Sequence, residues 1–205
     1  MLLSILYLIA ITAEAMTGAL SAGRRGMDLF GVALIASVTA LGGGSVRDVL
    51  LGHYPLGWVK HPEYLALTVG AGLATVAIAQ VMRYLRRLFL VLDALGLVAF
   101  TVIGCQVALE MGLSPAIVIV SGTLTGTCGG ILRDILCNDV PLILRRELYA
   151  SVAVLSAGCY LLCRQWLSEE QALLITLGAG LLLRLLALRF NWQMPTFSYP
   201  DDPHG

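Results

Sequence analysis

Long apolar runs follow one another along most of the chain, and short stretches between them carry most of the charged residues. A helix needs roughly 20 mostly apolar residues to cross about 30 Å of hydrocarbon, and seven segments reach or approach that length. The predicted spans are residues 2–22, 28–46, 64–82, 88–109, 114–136, 147–163 and 170–188. The pattern therefore predicts an all-α integral membrane protein with seven transmembrane helices.

Composition and charge agree with that class. Only 13% of the residues are charged, whereas a soluble domain carries about 25%. The 13 basic and 13 acidic residues cancel, so we expect membrane lipid and no nucleic acid as a partner.

The basic residues between the spans set the orientation, because cytoplasmic loops carry an excess of them. With the N-terminus outside, nine arginines lie on the cytoplasmic side and only Lys60 and Arg164 lie opposite. The nine are Arg24, Arg25, Arg83, Arg86, Arg87, Arg145, Arg146, Arg184 and Arg189. We expect an outside N-terminus and a cytoplasmic C-terminus.

One segment occurs twice. Residues 42–50, Gly-Gly-Gly-Ser-Val-Arg-Asp-Val-Leu, return as residues 128–136, Cys-Gly-Gly-Ile-Leu-Arg-Asp-Ile-Leu, at numbers higher by 86. Three spans separate the copies, so the copies cross the membrane in opposite directions, as in inverted repeats that place ion sites near the midplane. The predicted organisation is a first three-helix repeat in 1–85, a second, inverted one in 86–165, a seventh helix in 166–190 and a cytoplasmic tail in 191–205.

The paired glycines predict interrupted helices. Glycine costs roughly 1 kcal/mol relative to alanine in a helix interior, and backbone groups freed in lipid need partners. We expect helices two and five to be broken at Gly42-Gly43-Gly44 and Gly129-Gly130, with a monovalent cation near Gly43, Gly44, Gly129 and Gly130. The alternative is close helix packing, the role we assign to Gly18-x-x-x-Ala22 and Gly122-x-x-x-Gly126.

The Arg-Asp pairs after the glycines are the next candidates, because ionisable groups inside a membrane mark functional sites. Adjacent residues point about 100° apart on a helix. We therefore predict crossed ion pairs, Arg47 with Asp134 and Arg133 with Asp48. The alternative is that each motif lies at the membrane surface, where arginine reaches the headgroups.

Glu14 and Asp93 are single charges in long apolar runs on the first helix of each repeat. We interpret them as an equivalent pair facing the pathway and assign the difference between their separation of 79 and the repeat of 86 to loop length. Buried acids used for packing are the alternative. Asp28 and Asp139 lie nearer helix ends and are expected to cap helices or face water.

Enzyme readings lack the required residues. The chain has neither a phosphate-binding loop nor a His-Glu-x-x-His zinc motif. Ser45 is replaced by Ile131 in the second copy, and no membrane-embedded histidine is available as a base. The five cysteines contain no Cys-x-x-Cys pair, so we expect no cofactor and no enzyme activity.

Four segments resemble the bacterial branch of the trimeric intracellular cation (TRIC) channels, also described as a glycine-transporter-like family. They are residues 14–20, 42–48, 92–96 and 129–134, and the likeness covers about 1–190. The resemblance implies a bacterial inner-membrane homotrimer of seven-helix protomers, each with its own pore for monovalent cations, chiefly potassium. The pore positions that it implies are Gly42, Gly43, Gly44, Ser45, Arg47, Asp48, Thr127, Gly129, Gly130, Arg133 and Asp134.

The preferred function is therefore a potassium-preferring channel, with potassium or sodium ions as partners. A secondary transporter of a small zwitterion such as glycine is the alternative, since interrupted helices in inverted repeats serve transporters as well. A membrane scaffold without transport is a third, weaker interpretation.

Overall fold

The computed structural model describes residues 2–79, 85–144 and 148–193. These residues form eight α-helices and a short 3₁₀ helix at Leu142–Leu144. The α-helices are α1 Leu2–Arg24, α2 Leu29–Leu51, α3 Gly57–Lys60, α4 Glu63–Ala79, α5 Leu85–Glu110, α6 Pro115–Leu136, α7 Tyr149–Trp166 and α8 Glu169–Arg189.

Each predicted span overlaps one of the seven long helices. Five of these, α1, α2, α5, α6 and α8, are long and apolar enough to cross a membrane, and α4 is a shorter apolar helix of 17 residues. The outer faces of the helices carry exposed large apolar side chains such as Phe30, Leu162 and Leu182, as expected for contact with lipid. Arg83, Arg145, Arg146 and the tail beyond residue 193 lie outside the described residues.

The spacing of 86 extends to the helix boundaries. Helices α2 and α6 begin at Leu29 and Pro115, and α4 and α7 begin at Glu63 and Tyr149. Left-handed backbone recurs with the same spacing, at Gly26 and Gly112 and again at Gly52 and Asn138. The Asp28 carboxylate caps α2 by accepting the Gly31 N–H at 2.7 Å, as predicted. The duplication therefore covers all three helices of each half.

The helices form two groups that share an interface. Helices α1, α2 and α4 contact one another, as do α5, α6 and α7, while α2 packs on α6 and α1 on α5. Helix α8 packs on α5 and α7. Gly18 and Gly122 lie directly against neighbouring backbone: an added β-carbon would come within 2.8 Å of the Ile35 carbonyl or 2.7 Å of the Thr101 carbonyl. The packing role predicted for these small-residue faces is confirmed.

The predicted breaks at the glycine pairs are wrong, because α2 and α6 run continuously through residues 42–44 and 128–130. The glycines instead allow the two helices to cross at backbone contact. A β-carbon on Gly43 would collide with the Thr125 carbonyl oxygen, and one on Gly129 would collide with that of Thr39. These two contacts are related by the same spacing of 86 residues.

Candidate ion pathway

The crossing of α2 and α6 encloses a small void at the centre of the protein. Gly43, Gly44 and Gly129 line it together with Glu14 of α1 and Phe100 of α5. This void has no space for a water molecule, so the crossing is closed in this structure.

The remaining predicted pore positions lie around the crossing. Gly42 and Ser45 face a separate apolar cavity between α2 and α4, and the Ser45 hydroxyl donates to the Leu41 carbonyl at 2.8 Å. The Thr127 hydroxyl donates to the Thr123 carbonyl at 2.7 Å. Both hydroxyls therefore donate a hydrogen bond to a carbonyl of their own helix.

At Gly130, an added β-carbon would lie 3.0 Å from the Tyr149 hydroxyl. This glycine thus adjoins α7 rather than the void.

The first Arg-Asp motif lies beside an open cavity of about 250 Å³ near the N-terminal end of α1. Arg47 donates to Asp48 Oδ1 through Nε at 2.9 Å and Nη2 at 2.7 Å. His53 Nδ1 lies 2.9 Å from the same oxygen. Tyr7 and Lys60 complete this end of the cavity.

The arginine of the second Arg-Asp motif is fully buried. Arg133, with a side chain 0% exposed, donates to Asp134 Oδ1 at 2.9 Å and to Asp93 Oδ1 at 2.7 Å. Its Nη1 also donates to the Thr17 hydroxyl at 3.1 Å and lies 3.9 Å from Glu14 Oε2. One guanidinium therefore faces three carboxyl groups.

The predicted crossed ion pairs are wrong, because each arginine binds the aspartate that follows it. The side chain of arginine is long enough to bend back to its neighbour, so the 100° separation did not exclude that pair. The crossing also separates the motifs, since Arg47 shares its cavity with Tyr7 whereas Arg133 bonds Thr17. Those two α1 residues are about 15 Å apart along the helix axis.

The predicted equivalence of Glu14 and Asp93 is also wrong. Gly18 on α1 packs against Thr39 and the Ile35 carbonyl, and Gly104 on α5 packs against Thr125 and the Ser121 carbonyl. The residues of one contact and those of the other, Gly18 and Gly104, Thr39 and Thr125, and Ile35 and Ser121, differ in number by 86. The residue equivalent to Asp93 is therefore Tyr7, and the residue equivalent to Glu14 is Phe100.

Beyond Arg133 a second cavity, of about 110 Å³, continues toward the opposite end of α1. Ser21, Arg24, Phe89 and Asp134 line it, as does Asp139. Tyr7 and Ser21 are about four turns, or roughly 21 Å, apart along α1. The two cavities and the closed crossing thus follow one face of α1.

Asp139 at the rim of this second cavity forms an ion pair with Arg25. Both side chains are about two-fifths exposed, so the predicted position of Asp139 in water is confirmed.

Sequence reasoning missed three residues around Arg133. The Thr17 hydroxyl accepts a hydrogen bond from the Arg133 guanidinium, and Arg133 Cζ lies 4.7 Å from the centre of the Phe89 ring. Arg184 Cζ of α8 lies 4.9 Å from the centre of the Tyr149 ring. Arg184 is buried, although the charge pattern assigned it to the cytoplasmic loops. Its position within an apolar run was the available signal.

The fold and these buried charges define an internally duplicated, all-helical membrane protein. A family model described as "Glycine transporter" matches residues 4–80 and again 90–165, two segments that begin 86 residues apart. The chain is 36% identical over 205 residues to the UPF0126 inner membrane protein YadS of Escherichia coli K12, covering 98% of this chain and 99% of the relative. It is 38% identical over 200 residues to a UPF0126 membrane protein of Vibrio cholerae, covering 95% and 84%.

Solved structures give the same result. The TRIC trimeric intracellular cation channel orthologue from Rhodobacter sphaeroides superimposes with a TM-score of 0.89 at 37% identity, covering 93% of this chain and 98% of that one. A prokaryotic TRIC channel in 0.5 M KCl superimposes with a TM-score of 0.88 at 32% identity, covering 95% and 99%. The chain belongs to the TRIC family, and the resemblance noted in its sequence is confirmed.

Proposed function

We propose that this protein is a monovalent cation channel, preferring potassium, and that ions cross each protomer past the glycine crossing of α2 and α6. The observation that carries the proposal is the row of two cavities separated by a closed constriction along one face of α1. The similar solved structures are cation channels by name, which supports the same class of function here.

Three carboxyl groups along this route favour cations. Glu14 lies at the constriction, and Asp93 and Asp134 lie just beyond it. Among the described residues, Asp93 Oδ2 has no hydrogen-bond partner. Three carboxylates opposite one guanidinium leave excess negative charge in a low-dielectric interior, which favours a cation or a proton. Ions pass only if such sites bind them weakly enough to release them.

In this proposal ions pass the crossing of two continuous helices, α2 and α6, and not a break within either helix. Gly43, Gly44 and Gly129 line the constriction, so carbonyl groups and Thr39 and Thr125 lie close to it. A small separation of α2 from α6 would admit water there, and we assign opening to that movement. Arg47 and Arg133 lie on either side of the crossing and lower the conductance of the path for cations.

The two halves are proposed to be inverted three-helix repeats, with α8 as the seventh crossing. The reciprocal contacts of Gly43 with Thr125 and of Gly129 with Thr39 support this arrangement, because a two-fold axis in the membrane plane produces such pairs. We propose a homotrimer in the bacterial inner membrane, because relatives are described as trimeric and as inner-membrane proteins. The excess of arginine in the loops of one side supports an outside N-terminus. Mass measurement in detergent tests the trimer.

Recording from the purified protein in a planar bilayer tests the function. A potassium gradient should give unitary currents that reverse near the potassium potential and persist with sodium at lower amplitude. Saturable glycine uptake by proteoliposomes, without unitary currents, would instead establish the transporter alternative.

A further inference from the structure

Gly96 of α5 lies directly beneath the Glu14 carboxyl group. A β-carbon at position 96 would collide with Glu14 Oε1 and come within 2.6 Å of Cδ and Cγ. Glu14 itself is 3% exposed, so its side chain has little space into which it could move. The absence of a side chain at Gly96 therefore fixes where this carboxylate lies.

Other contacts hold the second carboxylate oxygen. Glu14 Oε2 accepts the Thr17 hydroxyl at 3.0 Å and lies 3.9 Å from Arg133 Nη1. The carboxyl group is thus placed between the constriction on one side and the Arg133 cluster on the other. Of the described residues that line the constriction, Glu14 alone has an ionisable side chain.

The contact between Glu14 and Gly96 joins α1 to α5, and the pair related to it by the spacing of 86 has different side chains. With the spacing of 86, Phe100 stands where Glu14 stands and Ala10 where Gly96 stands. Ala10 and Phe100 belong to one buried apolar cluster. The position that corresponds to Gly96 therefore has a β-carbon, that of Ala10, and the position that corresponds to Glu14 has an aromatic ring, that of Phe100.

We propose that Gly96 is a positioning residue for ion selectivity, holding Glu14 at the constriction as the single carboxylate that selects cations over anions. This inference rests on the proposed channel function. Phe100, which corresponds to Glu14 in the second repeat, also lines the constriction. The constriction therefore has one acidic residue, whereas two identical repeats would give it two or none. Selectivity then depends on one backbone position that carries no charge itself.

The test is the reversal potential in a KCl gradient, which measures the permeability ratio of potassium to chloride. Glu14→Gln is expected to lower this ratio by about tenfold, equivalent to about 1.4 kcal/mol. Gly96→Ala is expected to lower it by a similar factor although it removes no charge. Gly158→Ala of α7, where nothing lies within 4 Å of an added β-carbon, is the matched control and should retain the wild-type ratio.

A second background separates positioning from a general change in α5. In Glu14→Ala the space beside position 96 is free, so adding Gly96→Ala should change the ratio no further. If Gly96→Ala alone does not fold, the double variant Glu14→Asp with Gly96→Ala shortens the acid and should fold with a ratio between those of the wild type and Glu14→Gln.

A wild-type ratio in folded Gly96→Ala, or in the double variant with Glu14→Asp, overturns the inference. So does an additional loss when Gly96→Ala is added to Glu14→Ala. Absence of any current from the wild type contradicts the proposed channel function instead, and the two failures are thereby distinguished.

Discussion

The two Arg-Asp motifs have the same dipeptide, and both are buried, but they have different partners. Arg47 binds Asp48 beside an open cavity, with the half-exposed His53 on the same carboxylate oxygen. Arg133, whose side chain is fully buried, binds Asp134 and reaches Asp93 as well. Asp134 Oδ2 in addition accepts the Leu142 N–H at 2.9 Å. Both copies adjoin a cavity, but Arg133 also meets carboxyl groups from two other helices.

The difference arises on the partner helices rather than in the motif. With the spacing of 86, Asp93 of α5 corresponds to Tyr7 of α1, and Glu14 of α1 corresponds to Phe100 of α5. Arg133 meets two further carboxyl groups, from α1 and α5, whereas Arg47 shares its cavity with Tyr7 of α1. Both arginines are buried. Duplicated sequence thus kept the backbone and diverged in charge.

The largest expected effect is on Arg133. Arg133→Met leaves three buried carboxyl groups without their cation, and removal of one partner of a buried ion pair costs roughly 3–5 kcal/mol. Arg47→Met should cost less, roughly 1–3 kcal/mol, because it leaves one carboxyl group, that of Asp48, which His53 still contacts. Thermal unfolding in detergent compares the two variants. Equal losses would show that the two motifs are energetically alike.

The next effect concerns the crossing. Gly43→Ala and Gly129→Ala each force a methyl group against a carbonyl oxygen, and such overpacking costs roughly 1–3 kcal/mol. Gly70→Ala on α4, where an added β-carbon meets nothing within 4 Å, should be neutral or slightly stabilising. Unfolding midpoints and potassium current measure both consequences. Normal stability in either crossing variant would contradict the backbone contact.

The smallest effect is expected at His53. Its side chain is 44% exposed, and exposed ion pairs contribute roughly 0–1 kcal/mol. His53→Gln should therefore lower the free energy of unfolding by less than about 1 kcal/mol. A loss as large as that of Arg133→Met would mean that the first motif is as tightly coupled as the second.

The sequence alone predicted the helices, the duplication and the Asp28 cap, because apolar run length and capping chemistry are local. It did not predict how α2 and α6 meet. Consecutive glycines are equally compatible with an interrupted helix and with backbone contact, and only the position of Thr125 opposite Gly43 decides between them.

The prediction of crossed ion pairs was wrong for a related reason. The direction in which a helix presents its Cβ does not fix where the guanidinium of Arg47 ends. The assignment of Glu14 to Asp93 matched residue types instead of the spacing of 86 that the glycine motifs had established. Applying that spacing to the first helix would have identified Tyr7 and Phe100 from the sequence.

The most direct test of a route through the crossing is thiol modification at Thr39, which lines the constriction. The experiment uses Thr39→Cys in a protein whose five native cysteines are replaced, with recording in a planar bilayer. A positively charged thiol reagent should reduce the potassium current of this variant and leave the cysteine-free parent unchanged. Potassium current that persists after complete modification of Cys at that position, verified by mass, would contradict passage between α2 and α6.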